Sequence, residues 1–186
     1  MKIYLVLSDT NTLFSKTIKF YTKAEYNHAS IALDPTLVDI YSFGRKQPRN
    51  PFVAGFIQED LTRDYFLRAQ CNILTCEVTP VQFKLLSDLI QYYEQTKNMY
   101  RYNLIGLVTL ALKIDFKRHD AFFCSQFVAT LLAESTIHEF QKEFHFITPQ
   151  DLEVLPIFES IYTGSLYGYL TATQQTETDF LALSEG

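Results

Sequence analysis

A cysteine at position 124 is the residue of this sequence whose surroundings best suit covalent chemistry. It lies in "DAFFCSQFVATLLAES", residues 120–135, where apolar side chains recur at helical spacing from Phe127 to Leu132. The pattern predicts a helix whose first turn holds Cys124 and Ser125. A thiol at the start of a helix faces unpaired backbone N–H groups and the positive end of the helix dipole, and both favour the thiolate. A buried cysteine that acts as a small apolar side chain is the alternative.

A nucleophilic thiol needs a base, and imidazole suits that task near neutral pH. The chain has four histidines, and three of them, His119, His138 and His145, have polar neighbours that predict a solvent-exposed position. His28 differs because it opens a predicted strand, "HASIAL", whose backbone pairing would fix the position of the ring. Taken alone, His28 also fits a structural histidine with satisfied hydrogen bonds.

Strands and helices predicted along the chain must position these two residues. The predicted strands are residues 1–10, 27–33, 37–44, 71–78 and 159–170. The predicted helices are residues 11–26, a helix starting at Pro80, a helix from Asn103 onward, the Cys124 helix and a short turn in "TPQDL". The layout predicts an α+β fold in which helices pack on one side of an antiparallel sheet.

Two further segments complete this prediction. The polar, proline-bearing stretch "RKQPRNP", residues 45–51, is predicted to be a loop that begins a longer excursion through "FVAGFIQEDL". Residues 1–170 are predicted to form a single domain, and residues 171–186 a polar C-terminal tail.

Composition narrows the classes of function. The chain has 186 residues, 47% of them hydrophobic, and a net charge of −5, so a nucleic-acid backbone would be repelled. No metal-ligand spacing and no glycine-rich phosphate loop is present, and neither a metal nor a cofactor is predicted. The longest apolar run, "LIGLVTLAL", is about half of a membrane span, and no signal peptide is recognised. A cytoplasmic protein without a membrane span is expected.

The cysteine count supports the same location. Three cysteines, an odd number, suit a reducing compartment. Cys71 and Cys76 lie in one predicted strand at an odd separation, which directs them to opposite faces and argues against a zinc pair or a local disulfide.

The segments "YNHASIAL", "VDIYSFG" and "FFCSQFVATLL", in that order, resemble the circularly permuted branch of the NlpC-type cysteine peptidases. This branch includes YiiX/YaeF-like bacterial proteins and, more distantly, lecithin retinol acyltransferase-like enzymes. "YNLIGL" and "TPQDL" resemble further segments of the branch, so that the resemblance spans roughly residues 1 to 165. It implies a papain-like fold in which the histidine strand precedes the cysteine helix.

The resemblance implies roles for individual residues. Cys124 would be the nucleophile and His28 the general base, and the backbone N–H of Cys124 is a candidate oxyanion donor. In the family a polar group on the next strand orients the base, and the best-matching position here is Ser42. Asp39 and Tyr41 lie nearby and are alternatives, because a shift of one residue exchanges the faces of a strand. A backbone carbonyl in this role, or no orienting group at all, are the further alternatives.

Three more residues are candidates for substrate binding. Tyr102 matches a tyrosine that precedes the cysteine helix in the branch, where it would line the pocket; a core tyrosine is the alternative. Ser125 is a candidate for substrate contact beside the thiol, with helix capping or packing as the alternative. Arg45 could meet an anionic group, or be a solvated loop residue.

These assignments imply a cysteine hydrolase, a peptidase or amidase, that acts on a small peptide or amide substrate through an acyl-enzyme. A thioesterase or acyltransferase on lipid-like acyl substrates would use the same site. A catalytically inactive papain-like domain that binds a ligand or partner is the third hypothesis, because Ser42 is a weaker orienting group than a carboxylate.

Overall fold

The computed structural model describes residues 1–9, 25–47, 50–97, 101–102, 121–122 and 124–184. Within them, six strands form an antiparallel sheet in the order β4-β3-β2-β1-β5-β8. Eight strands are described in all: β1 (Lys2–Asp9), β2 (His28–Ala32), β3 (Ile40–Gln47), β4 (Asn50–Gln58), β5 (Gln70–Glu77), β6 (Arg101–Tyr102), β7 (Ala121–Phe122) and β8 (Glu159–Ser165). The pair β6 and β7 forms a small parallel ladder of its own.

Helices complete a mixed α+β architecture. They are α1 (Asp64–Leu67), α2 (Pro80–Gln95), α3 (Cys124–Glu134), α4 (Pro149–Glu153) and α5 (Leu166–Ser184), with a 3₁₀ turn at Phe144–Phe146. The predicted starts at Pro80 and Cys124 are confirmed, as is the short helix after Thr148. The α+β class is therefore confirmed, and the permuted papain-like arrangement stays a prediction.

One face of the sheet packs against α2 and α3. Phe127 of α3 is fully buried, with its ring centre 5.0 Å from that of Phe43 in β3 and 5.7 Å from that of Phe56 in β4. Tyr93 of α2 closes the cluster, 5.3 Å from Phe127. Edge-on and offset ring pairs of this kind each add about 0.5–1.5 kcal/mol beyond simple burial. They fix the α3 helix, and hence its first residue Cys124, against the sheet.

The opposite face of the sheet is covered as well. Phe66 of α1 and Leu166 of α5 pack there with Tyr4 and Val6 of β1. The prediction that helices pack on one side only is therefore wrong. The physical reason lies in the central strands, because β1 buries both of its faces and so needs a cover on each side.

The loop predicted at residues 45–51 is largely strand. Strand β3 continues to Gln47 and β4 begins at Asn50, so that β3 and β4 form an antiparallel hairpin. Pro51 is compatible with this because β4 is the edge strand of the sheet, where a missing backbone N–H is tolerated.

The predicted boundary between residues 170 and 171 falls inside α5. The stretch expected to be strand through residue 170 divides instead into β8 and the start of α5. The hydroxyl of Tyr169 donates to the Pro35 carbonyl oxygen at 2.9 Å, which ties the first turns of this polar helix to the rest of the chain. The helix predicted from Asn103 onward lies outside the described residues, as does the helix predicted at residues 11–26 except for residues 25 and 26, which are not helical.

Cys71 and Cys76 lie on opposite faces of β5, as predicted, each in a different apolar cluster. Both are free thiols, as is Cys124. Across the described part of the chain, we find no helix with the length and apolar character needed to cross a membrane.

Candidate active site

Cys124 is the first residue of α3, and its side chain is almost fully enclosed, at 8% exposure. The neighbouring Ser125 anchors this end of the helix, because its buried hydroxyl donates to the Ile147 carbonyl oxygen at 2.6 Å. Since α3 is held by Phe127 in the aromatic cluster and at its start by this bond, the thiol has a fixed position.

The thiol lies against the beginning of β2. Strands β2 and β3 pair through Ile31 with Tyr41 and Ala32 with Ile40. Closer to the start of β2, the backbone N–H groups of Ala29 and Ser125 stabilise the charged form of the Cys124 thiol and lower its pKa. The sulfur of Cys124 therefore lies beside the start of β2.

His28 opens β2 and is held in place by its partner strand, opposite Ser8 of β1. Its Nε2 lies 2.6 Å from Oε1 of Glu59. This contact leaves Nδ1 as the ring nitrogen available to the thiol, and the charge of Cys124 and its hydrogen bonding both raise the pKa of His28. The ring of Phe66 flanks the imidazole, with the two ring centres 6.4 Å apart. Cys124, His28 and Glu59 therefore form one continuous row.

Glu59 directly follows β4, and its side chain is only 1% exposed. Its carboxylate accepts three hydrogen bonds from side chains. His28 and the hydroxyl of Ser42 both donate to Oε1, and the hydroxyl of Ser30 donates to Oε2 at 2.9 Å. A buried carboxylate with this many donors is stabilised in its charged form.

The pKa values of the row follow from burial and mutual charge. Burial lowers the pKa of His28, but the charges of Glu59 and Cys124 outweigh burial and raise this pKa to about 10. Burial raises the pKa of Glu59, but the imidazolium and the donated hydrogen bonds bring it below its ordinary value. Burial likewise raises the pKa of Cys124, and the neighbouring imidazolium and N–H groups more than reverse that effect. All three shifts act in the same sense, toward thiolate, imidazolium and carboxylate.

The structure therefore brings together Cys124 and His28, the two residues predicted as nucleophile and base. The predicted orienting residue needs correction, since Ser42 donates to Glu59 and the carboxylate of Glu59 contacts the imidazole. The buried hydroxyl of Ser125 donates to the Ile147 carbonyl, which fits the packing alternative, and its contact with a substrate stays a prediction. The side chains of Tyr102 and Arg45 lie outside the described residues.

Sequence reasoning missed Glu59, although a signal was present. The residue belongs to "FIQEDL", where two acidic residues follow an apolar segment after a single glutamine. Recognising that segment as a strand paired with β3 would have placed a carboxylate at the end of the neighbouring strand.

His138 and His145 were expected to be solvent-exposed, but both are half-buried, against Phe140 and Phe146 respectively. No group of three or more His, Cys, Asp or Glu side chains within the described ranges has an arrangement that could hold a metal ion.

Comparisons of the chain with protein-family models, with curated proteins and with solved structures gave no match.

Proposed function

We propose that this protein is a cysteine hydrolase, a peptidase or amidase, that cleaves an amide bond through an acyl-enzyme on Cys124. The observation that carries the proposal is the buried row of Cys124, His28 and Glu59, with His28 Nε2 2.6 Å from the carboxylate. A thiol with a lowered pKa next to an imidazole that is itself oriented by a third group is the general pattern of an activated nucleophile.

In the first half of the reaction, the thiolate of Cys124 attacks the amide carbonyl carbon and a C–S bond forms. The backbone N–H of Cys124, at the start of α3, is a candidate donor to the oxyanion. The imidazolium of His28 gives its Nδ1 proton to the amide nitrogen as the C–N bond breaks. An amine leaves, and the acyl group remains on the sulfur as a thioester.

In the second half, His28 acts as a base toward water. It takes a proton from the water as the water oxygen attacks the thioester carbonyl, and the C–S bond then breaks to release a carboxylic acid and restore the thiolate. Glu59 stabilises the imidazolium at both stages and holds the ring in place. Its presence favours a catalytic role over an inactive binding domain, which was suggested by the lack of a carboxylate at position 42.

The resemblance to permuted NlpC-type peptidases supports a papain-like arrangement and a small peptide or amide substrate. The free thiols of Cys71, Cys76 and Cys124 support a reducing compartment, and we place the protein in the cytoplasm on that ground.

Trapping of the acyl-enzyme tests the proposal. The purified protein is incubated with a panel of peptide amides, N-acyl amino-acid amides and acyl thioesters, quenched in acid and measured by intact-protein mass spectrometry. We expect an added mass equal to one acyl group, located on Cys124 by peptide mapping and absent from Cys124→Ala. The identity of the trapped donor separates an amidase from a thioesterase or acyltransferase.

A matched control is Cys76→Ala, which removes another buried thiol and should leave the adduct unchanged. Absence of any adduct and of any turnover across the panel, in a protein whose Cys124 is intact, would contradict the proposal and favour the binding domain.

A further inference from the structure

Two buried serines on neighbouring strands share one acceptor. Ser30 of β2 and Ser42 of β3 are 1% and 0% exposed, respectively. Ser30 lies two residues beyond His28 and therefore on the same face of the strand. Ser30 donates to Oε2 of Glu59, and Ser42 donates to Oε1. The two hydroxyls thus engage both oxygens of a single carboxylate.

The surroundings of Ser30 and Ser42 are otherwise apolar. Ala32 follows Ser30 on the same face of β2, and Ile40 precedes Ser42 on the same face of β3. Both belong to the apolar cluster beneath α1 and α5. A hydroxyl buried in such a place costs free energy unless it is hydrogen-bonded. The carboxylate of Glu59 supplies that bond to both serines, and it needs donors itself because it is removed from water.

We propose that Ser30 and Ser42 are positioning residues, which fix both oxygens of the Glu59 carboxylate and hold it in its charged form beside His28. The inference rests on the proposed function only in taking Cys124 as the nucleophile that this arrangement serves. The serines do not touch the reacting atoms, and they act through Glu59 on the imidazole and through the imidazole on the thiol.

The surroundings of Glu59 limit what else could set its charge. Among the described residues, the ionisable group that faces Glu59 from β2 is His28, with Cys124 of α3 on the other side of the imidazole. Strand β3 contributes the hydroxyl of Ser42, and α1 contributes the apolar ring of Phe66 next to the imidazole. The hydroxyls of Ser30 and Ser42 are therefore the uncharged groups that, together with His28, donate hydrogen bonds to the Glu59 carboxylate.

The test measures the charge of Glu59 directly. The protein is labelled with ¹³C at glutamate side-chain carboxyls, and the Glu59 signal is assigned by its loss in Glu59→Gln. Titration is followed in wild type, Ser30→Ala, Ser42→Ala and the double variant. We expect the midpoint of the Glu59 titration to rise by about one pH unit for each hydroxyl removed.

A second readout follows the thiol. The rate of alkylation of Cys124 by iodoacetamide is measured against pH, and its acid midpoint should move upward in the same order of variants. In a Glu59→Gln background, removal of the hydroxyls should cause no further movement. Ser30→Thr, which keeps the hydroxyl, should restore the wild-type midpoint.

Ser135→Ala is the matched control, because Ser135 is a fully buried serine at the far end of α3 that donates to the Leu131 carbonyl at 2.6 Å. Folded single variants whose Glu59 midpoint equals that of wild type would overturn the inference, as would alkylation shifts that persist without Glu59. If the double variant does not fold, the single variants decide. Neither readout requires turnover, so failure of the proposed hydrolase activity would be seen separately.

Discussion

Nε2 of His28 lies 2.6 Å from a carboxylate oxygen of Glu59, a residue 31 positions later in the chain. The contact occupies one ring nitrogen and presents the other to Cys124. It also places a negative charge next to an imidazole that burial alone would leave neutral. The pairing of thiolate and imidazolium therefore depends on a residue that touches only one member of the pair.

Glu59→Gln should reduce catalysis far more than it reduces stability. The amide keeps the size of the side chain but removes the charge that favours the imidazolium, so we expect kcat/KM to fall by about 10²- to 10⁴-fold. Loss of a charged hydrogen bond should lower the free energy of unfolding by about 1.5–3 kcal/mol. Steady-state kinetics and urea denaturation measure the two effects. Asp60→Asn, which changes the exposed neighbouring carboxylate, is the control, and equal kinetics for the two variants would exclude the role given to Glu59.

Alkylation should distinguish the three cysteines of the native protein. At pH 7, iodoacetamide should label Cys124, because its pKa is lowered, and should spare Cys71, whose pKa burial raises to about 12. Cys76 should also be spared, since burial and the charge of Glu77 raise its pKa. Peptide mapping after a short exposure measures the selectivity, and in concentrated urea all three should react alike. Equal labelling of the native thiols would show that Cys124 is an ordinary buried cysteine.

The dependence of stability on pH should reveal the ion pair. The raised pKa of His28 contributes stability that is lost as the pH rises from 6.5 toward about 10. The lowered pKa of Cys124 contributes stability that is gained as the pH rises toward 9.0. The two contributions have opposite signs, and they offset each other where the folded pair is thiolate and imidazolium and the unfolded pair is thiol and neutral imidazole, because folded and unfolded chains then hold one proton each on this pair.

Cys124→Ala should remove that balance. His28 remains beside Glu59 and keeps a raised pKa, so the folded variant holds a proton that the unfolded chain lacks. Its free energy of unfolding should fall, relative to wild type, with a slope of up to about 1.4 kcal/mol per pH unit above pH 6.5. Urea denaturation at pH 6.5, 7.5 and 8.5 measures the slope, with Cys76→Ala as the control. A Cys124→Ala profile parallel to that of wild type would mean that the native thiol is not ionised.

Local patterns were sufficient for Cys124 and His28 but not for Glu59. A helix start and a strand start can each be inferred from a short segment, and both predictions were confirmed. The position of Glu59 depends on the pairing of β4 with β3, where its backbone N–H donates to the Ile40 carbonyl at 2.9 Å. No local sequence pattern predicts the register of β4 against β3, and the polar stretch with Pro51 favours a loop instead. The predicted residue Ser42 lies on the strand next to β2, one hydrogen bond away from the carboxylate that contacts His28.

Adding a single methyl group at Gly44, as in Gly44→Ala, should lower both stability and kcat/KM. A Cβ at this position would lie 3.1 Å from Cδ1 of Ile57, 3.3 Å from Oγ of Ser42 and 3.7 Å from Cε1 of His28. The end of the isoleucine can move aside, but Ser42 is held by its bond to Glu59, so the methyl of Gly44→Ala should displace the carboxylate and the imidazole together. We expect a loss of about 1–3 kcal/mol in stability and at least about a tenfold fall in kcat/KM, measured by urea denaturation and steady-state kinetics.

Gly168→Ala offers a matched comparison for Gly44→Ala. A Cβ at Gly168, in α5, would lie 2.9 Å from the hydroxyl oxygen of Tyr162, and its nearest atoms belong to Tyr162 and Ser165, which are not part of the row of Cys124, His28 and Glu59. This variant should leave kcat/KM unchanged whatever it does to stability. If Gly44→Ala retains full kcat/KM and an unchanged pH profile, the imidazole does not depend on the space that this glycine leaves. If both variants lose activity in proportion to their stability, the effect of Gly44→Ala is one of folding and not of the site.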